Sequence, residues 1–334
     1  MARFERTYPT DPKLAVAVCQ LDATQYAAVT DGLAGHDAVD AIWALLDRAC
    51  AAAVAPSPDH CRPVLVTFPE LATTGYGIPT DALRQRALTV QQAFERTHAL
   101  AVKHQINISL GYAEVDETAE TPPAPLYNGS LLVSRDPSAT TPLIAYRKDH
   151  LYGDWEAGHF ATPAPSDPIR HAARSVALPT DAGVWRVATL VCWDIEHPEP
   201  ARALVLASFP AGVHLLLVPT ANTEGFVPEH LVPTRAWENH VAIAYTNWIG
   251  GPLGMCGQSV VVRRDGGVVL TMPSLASHQT AAPDSDAASV WQISHTVLQD
   301  DASTHGAFMA RNPQFEGRRS HLYTSLTEAS SPTS

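Results

Sequence analysis

Short apolar runs alternate with helical patterns from one end of this chain to the other, and that alternation restricts it to the α/β class. Leu14 to Leu21 (LAVAVCQL) reads as a buried strand. A helix follows, with Ile42, Leu45, Leu46, Ala49, Cys50 and Ala53 recurring at three and four residues; Asp37 is placed to cap it and Pro56 to end it. Cys50 lies on that apolar stripe and reads as packing. Further strands are expected at Val64 to Phe68, Ile106 to Glu114, Tyr127 to Ser134, Leu143 to Tyr146, Val184 to Val191, Val213 to Val218, Val241 to Thr246 and Ser259 to Arg264. One helix is expected over Asp81 to Lys103, and another from Pro198 to Ser208. Asp265, Gly266 and Gly267 suit a hairpin turn into Val268 to Thr271, and the stretch from Pro273 to Ala287 reads as a loop.

No internal repeat or composition break interrupts this pattern. The expected organisation is one domain over residues 10–300 and a C-terminal extension over 301–334 with a mobile, Ser/Thr-rich end. The chain carries 34 acids against 22 bases, a net charge of −12, so neither nucleic acid nor an anionic membrane surface is an expected partner. Its apolar runs fall far short of the ~20 residues that span a bilayer. Five cysteines without regular spacing read as reduced thiols, which with an N-terminus lacking a signal-like apolar stretch points to the cytoplasm. No CxxC pair and no metal-ligand histidine spacing is present, so a redox dithiol, a metal and a cofactor are all unexpected.

Chemistry-bearing residues gather at the ends of the expected strands, where open α/β sheets present side chains to a ligand crevice. Cys192 ends one strand and precedes a turn holding Trp193, Asp194 and Pro198. A thiol there becomes a nucleophile if a neighbour removes its proton. His150, His197 and His214 are candidate bases, and Glu70 in FPELATTGYG (Phe68 to Gly77) is another. Lys148, in YRKDHLYGDWEAGHF (Tyr146 to Phe160), can bring an ammonium to a reacting carbonyl. The blander readings are a packed thiol, a solvated glutamate and a surface lysine.

Taken together, FPE…GYG, YRK.HL…E…F and CWDIEHPE resemble the three signatures of the nitrilase superfamily of carbon–nitrogen hydrolases, in the same order. The resemblance continues through LLLVPTAN (Leu215 to Asn222), RAWEN (Arg235 to Asn239), YTN (Tyr245 to Asn247), G-Q-S (Gly257 to Ser259) and NPQFEGRRSHLY near the C-terminus. It implies a four-layer α-β-β-α sandwich and a Glu–Lys–Cys triad matching Glu70, Lys148 and Cys192. It also implies an oxyanion held by Lys148 and the backbone N–H of Trp193, with Glu156 as a second glutamate and Asp154 as its substitute. Tyr76, Trp155, Trp193 and Asn222 are the expected substrate contacts, with Phe160 and Trp248 as further pocket candidates.

The implied reaction cleaves a small aliphatic or amino-acid-like amide to carboxylate and ammonia through a thioester. Asp194 and the PTAN string favour amidases, Trp193 is a nitrilase preference, and nitriles or N-carbamoyl compounds are alternative substrates. A catalytically silent scaffold and a thiol redox protein are the rivals from other classes. Family members pair through their helices, so a homodimer or larger homo-oligomer is expected, with NPQFEGRRSHLY contributing across the interface. Two departures stand out: His197 where phenylalanine is usual, and Pro233, which should kink or restart the helix leading to RAWEN.

Overall fold

The computed structural model describes residues 13–33, 35–119, 122–164, 167, 175–180, 183–208, 212–280 and 290–299. The NPQFEGRRSHLY segment and the rest of 301–334 lie outside them, as does the end of the stretch read as a loop.

The strands run in chain order β1 (Lys13–Asp22), β2 (Leu65–Thr67), β3 (Asn107–Val115), β4 (Leu126–Val133), β5 (Ile144–Arg147), β6 (Val176–Thr180), β7 (Gly183–Thr189), β8 (Leu215–Pro219) and β9 (Ala242–Thr246). They continue with β10 (Trp248–Gly250), β11 (Met255–Cys256), β12 (Val260–Val262), β13 (Val268–Thr271) and β14 (Trp291–Gln299). One sheet has the order β11-β10-β1-β2-β3-β4-β5, with β14 also paired to β1; the other has the order β13-β12-β9-β8-β7-β6. The centres of both sheets are parallel: β1 with β2, β2 with β3, β7 with β8 and β8 with β9. Their strands are buried on both faces, which is why they read as continuous apolar runs rather than alternating ones.

The outer face of the first sheet is covered by α2 (Gly35–Ala53) and α4 (Val90–His104), which flank α3 (Thr80–Arg86) and follow the short α1 (Ala23–Val29). Ile42, Leu46, Ala49 and Cys50 of α2 pack with Ala17, Cys19 and Leu21 of β1 and Ile108 and Leu110 of β3. Across the opposite face the two sheets meet directly. Thr67 of β2 and Thr246 of β9 share a hydroxyl–hydroxyl hydrogen bond of 2.7 Å. Ser259 donates its N–H and its hydroxyl to Gln20 Oε1 at 3.0 and 2.8 Å. Among the described residues the remaining helices are α5 (Gly153–His159), α6 (Pro198–Ala207), α7 (Val232–Asn239) and α8 (Leu275–Thr280), of which α7 lies against β9 and β12. The result is the expected α-β-β-α sandwich.

Local corrections follow from caps and pairing. The single helix expected over Asp81 to Lys103 is two, because Thr89 and Gln92 form a capping box that starts α4 afresh, while Leu88 pairs with Glu114. Asp37 falls in the first turn of α2 rather than at its cap. Part of the stretch read as a loop is α8. Strand β14 was not foreseen; its alternation of Trp291, Ile293 and Val297 with polar residues acquires meaning only when nine of its residues pair antiparallel with β1. The β6–β7 hairpin was half foreseen, since Val176–Thr180 carries a proline in an edge strand. Pro233 does restart a helix: a π-turn over Val227–Leu231 leads into α7, with the proline in its first turn.

Candidate active site

Three strand ends deliver their side chains to one buried place. After β2 the chain turns through Phe68, Pro69 and Glu70, with Leu71 in the left-handed region at φ 51°. Gly111 of β3 permits this, because a Cβ there would sit 2.6 Å from the backbone of Pro69, Glu70 and Leu71. Glu70 Oε1 accepts from Asn128 Nδ2 at 2.7 Å and from Lys148 Nζ at 2.8 Å. Its other oxygen, Oε2, is buried without a hydrogen-bond partner. The Trp248 indole donates to the Glu70 carbonyl at 2.7 Å and so fixes the turn from the β10 side.

Lys148 stands one residue past β5, its amide donating to the Asn128 carbonyl at 2.8 Å. The fully buried ammonium also donates to both oxygens of Glu156, at 2.7 and 2.8 Å. Glu156, on α5, further accepts the Tyr76 hydroxyl at 2.6 Å and the Tyr152 N–H at 2.9 Å. Asp154, the alternative to Glu156, is instead exposed and lies on the wall of the neighbouring cavity.

Cys192 follows β7 and opens a 3-10 turn, Cys192–Ile195, with its own backbone at φ 47°. A non-glycine residue held in this region is strained, and the surrounding contacts must impose it. Asp194 does so. It accepts the Val191 N–H at 3.0 Å, the Tyr146 hydroxyl at 2.7 Å, and the His150 N–H and ring nitrogen at 3.0 and 2.8 Å. The buried Cys192 Sγ points toward the Ala221 carbonyl, 3.9 Å away. Trp193 is the next residue of the turn, so its N–H has no partner within that turn.

Electrostatics follow from burial and from charge order. Burial raises the Glu70 carboxyl to about 7, with Lys148 pulling it down and Glu156 pushing it up. Burial pushes the Cys192 thiol well above its ordinary value; Glu70 and Glu156 add to that, and Lys148 opposes it. Burial alone would lower Lys148, but Glu70, Cys192 and Glu156 outweigh it and hold the ammonium charged. The thiol therefore keeps its proton at neutral pH until a base takes it. Of the candidate bases, His150 is engaged with Asp194, and the His214 ring accepts the Arg186 N–H at 3.1 Å beside β7. The His197 ring packs 4.3 Å from that of His150. Glu70 is the base candidate whose charge acts most on the thiol.

A cavity of about 390 Å³ opens onto Cys192. Tyr76, Tyr152 and Trp155 form one wall, and Ala221, Asn222, Leu253 and Met255 form another. The Tyr76 and Trp155 rings lie 4.8 Å apart, and the Trp155 indole donates to the Ile78 carbonyl at 3.3 Å. Asn222 reaches the cavity, but its amide closes a turn with the backbone of Glu224 at 2.8 and 3.0 Å. The Trp193 ring is not among the lining side chains. It packs edge-on against Tyr152 and His197. Phe160 and Trp248 are likewise buried away from the cavity.

Sequence reasoning missed Asn128, Gly111 and Glu196, and it used Asp194 only to judge subclass. Gly111 had a signal, a glycine inside an otherwise β-prone run; Asn128 had none. Among the described residues no group of three or more His, Cys, Asp or Glu is placed to hold a metal. Nor is any helix among them long and apolar enough to cross a membrane.

The fold on which this site is built is shared with known proteins. The family model described as carbon-nitrogen hydrolase matches residues 15–292, and the chain belongs to that family. A hydrolase of the pqqF 5′ region in Pseudomonas protegens is 32% identical over 209 residues, which cover 60% of this chain and 65% of that protein. An (R)-stereoselective amidase of Pseudomonas sp is 29% identical over 192 residues, 56% of this chain and 59% of that one. In both cases the match spans less than two thirds of the relative. An amidase from Nesterenkonia sp. AN1, solved as a double mutant in complex with acrylamide, superposes with a TM-score of 0.62 at 23% identity. That superposition covers 94% of this chain and 97% of the other, and shows the shared fold.

Proposed function

We propose that this protein is an amidase-type hydrolase that converts a small amide to its carboxylate and ammonia. The observation that carries the reading is the buried Glu70–Lys148–Glu156 cluster, with one oxygen of Glu70 unpaired, beside a strained cysteine that opens onto a cavity. In this reading Glu70 accepts the thiol proton as Sγ forms a bond to the amide carbon and the carbonyl electron pair moves onto oxygen. Lys148 Nζ and the Trp193 N–H stabilise that oxyanion. As it collapses, the C–N bond breaks, Glu70 returns the proton to nitrogen, and ammonia leaves a thioester behind. A water deprotonated by Glu70 then attacks the thioester carbon, the C–S bond breaks, and Glu70 returns the proton to sulfur as acid and thiol are released. Glu156 is a positioning residue that holds the lysine against the pull of Glu70.

A thiol that stays protonated until attack suits this route, because a base near neutrality is the most effective kind at physiological pH. An (R)-stereoselective amidase among the relatives and an amidase of the same fold support the reading. The expected assembly remains a homodimer or larger homo-oligomer, with residues 301–334 as the extension that contributes to it; sedimentation showing only monomer would remove that part.

The functional reading is tested by ammonia release from a panel of amides, nitriles and N-carbamoyl amino acids, with acid products identified. Amide turnover is expected from the wild type. Cys192→Ala should lose about 10⁴-fold or more of it while keeping its melting temperature. Turnover of nitriles alone would move the protein to the nitrilase branch, and a fully active Cys192→Ala would refute the nucleophile.

A further inference from the structure

The cavity carries charge of one sign. Its ionisable lining residues, apart from two tyrosines, are Cys192, Asp154 and Glu196; no lysine, arginine or histidine is among them. Asp154 is exposed at the rim, whereas Glu196 is half-buried, four residues past Cys192 at the end of the same 3-10 turn. Its carboxylate has no hydrogen bond or ion pair with any described residue. The nearest cations are committed elsewhere. Arg235 donates Nε to the Ile195 carbonyl at 3.0 Å, Nη2 to the Glu196 carbonyl at 2.8 Å and Nη1 to Glu238 at 2.9 Å. Arg235 thus pins the backbone of Glu196 and leaves its carboxylate free. Lys148 is held by Glu70 and Glu156. Glu224, one residue beyond the cavity-lining Thr223, adds a further negative charge.

Burial raises the Glu196 carboxyl above the usual carboxylate range, against the pull of Lys148, so its charged form on this largely apolar wall is costly unless an occupant pairs with it. We propose that Glu196 makes the site selective for amides whose acyl chain carries an ammonium group, and against acyl chains ending in carboxylate. The inference rests on the amidase reading and names its substrate class. With Cys192 and Glu196 on one cavity, the thiol meets the carbonyl while the carboxylate meets the far end of a short acyl chain. The same charge disfavours N-carbamoyl amino acids, whose carboxylate would face Glu196 and Asp154 with no cation on the wall to receive it. Electrostatic mismatch of this kind is a common source of discrimination between ligands of equal size.

The test uses three amides matched in length: 5-aminopentanamide, hexanamide and adipic acid monoamide. Wild type should favour the ammonium compound over the methyl compound in kcat/KM, and the carboxylate compound should be poorest. In Glu196→Gln the ammonium-to-methyl ratio should fall about 10- to 100-fold, and Glu196→Lys should favour the carboxylate compound. Asp154→Asn, at the exposed rim, should change the ratio by no more than about threefold. Equal kcat/KM for the ammonium and methyl compounds in wild type, or a ratio that survives Glu196→Gln, would overturn the proposal while leaving the amidase reading intact.

Failure of wild type to hydrolyse any amide would instead defeat the amidase reading. The charge preference would then be read by calorimetry on Cys192→Ala with the same three compounds. Tighter binding of the ammonium compound, abolished by adding Glu196→Gln, supports the assignment; equal or absent binding ends it.

Discussion

Arg147 and Lys148 are neighbours in the chain, and each sits among several carboxylates, yet they build opposite kinds of cluster. Arg147 donates to Glu114, to Asp167 at 2.7 Å and to Asp116 at 3.1 Å, and it stacks 3.8 Å from the Tyr127 ring. Its guanidinium is thus paired on every side, and Asp116 remains partly open to water. Lys148 points the other way, into a place where its own side chain and those of Glu70 and Glu156 have no exposure at all. There one carboxylate oxygen is left unpaired beside a thiol. Strand alternation sends consecutive side chains to opposite faces, so one end of β5 serves both clusters. The lesson is that charge count does not separate a structural cluster from the one proposed to react; an unsatisfied acceptor next to a thiol does.

The sharpest way to break this comparison is to remove each cation in turn. Lys148→Met should lower kcat by about 10²–10³-fold or more, since it removes the proposed oxyanion donor, and steady-state kinetics on folded protein would show it. Nearly normal turnover would make the Lys148 cluster as structural as its neighbour. Next in size is the pH response. Glu70 must be ionised to accept a proton, and burial raises its carboxyl to about 7. The rate kcat/KM should therefore fall about tenfold per pH unit below that value and level off above it. A profile flat down to pH 5 would exclude Glu70 as the base. The smallest effect on activity is expected from Arg147→Met, within about threefold per folded molecule. Denaturant melts should nevertheless show it less stable by roughly 3–5 kcal/mol, because it strands buried carboxylates. A large loss of kcat at unchanged stability would invert the assignment.

The difference between these regions also marks how far the chain could be read by itself. Glu70, Lys148 and Cys192 each follow a recognisable strand, but it is the resemblance of their strings to the nitrilase-superfamily signatures that sets them apart from solvated or packed residues. The same resemblance implies Glu156 as the second glutamate after the lysine, and the structure brings it into contact with that lysine. Tyr76 and Trp155 were chosen as aromatics near strand ends, and both line the cavity; Trp193, Phe160 and Trp248, chosen on the same grounds, do not. Nothing local distinguishes these cases, because which side of a ring is covered depends on elements far away in the chain. Glu196 lay in full view within CWDIEHPE, but its direction is set by the left-handed backbone at Cys192 and by Arg235, 39 residues further on.

The sequence by itself determined the α/β class, most of the strands and the places where chemistry could sit. These depend on hydrophobic periodicity and turn residues, which act over a few neighbouring positions. Tertiary structure alone decided the partnership of β14 with β1 and the close passage of Gly111 past Glu70. It also decided which carboxylates stay unpaired. Such outcomes rest on contacts like that of Gln20 with Ser259, 239 residues apart, whose energies belong to the packed pair and to neither residue alone.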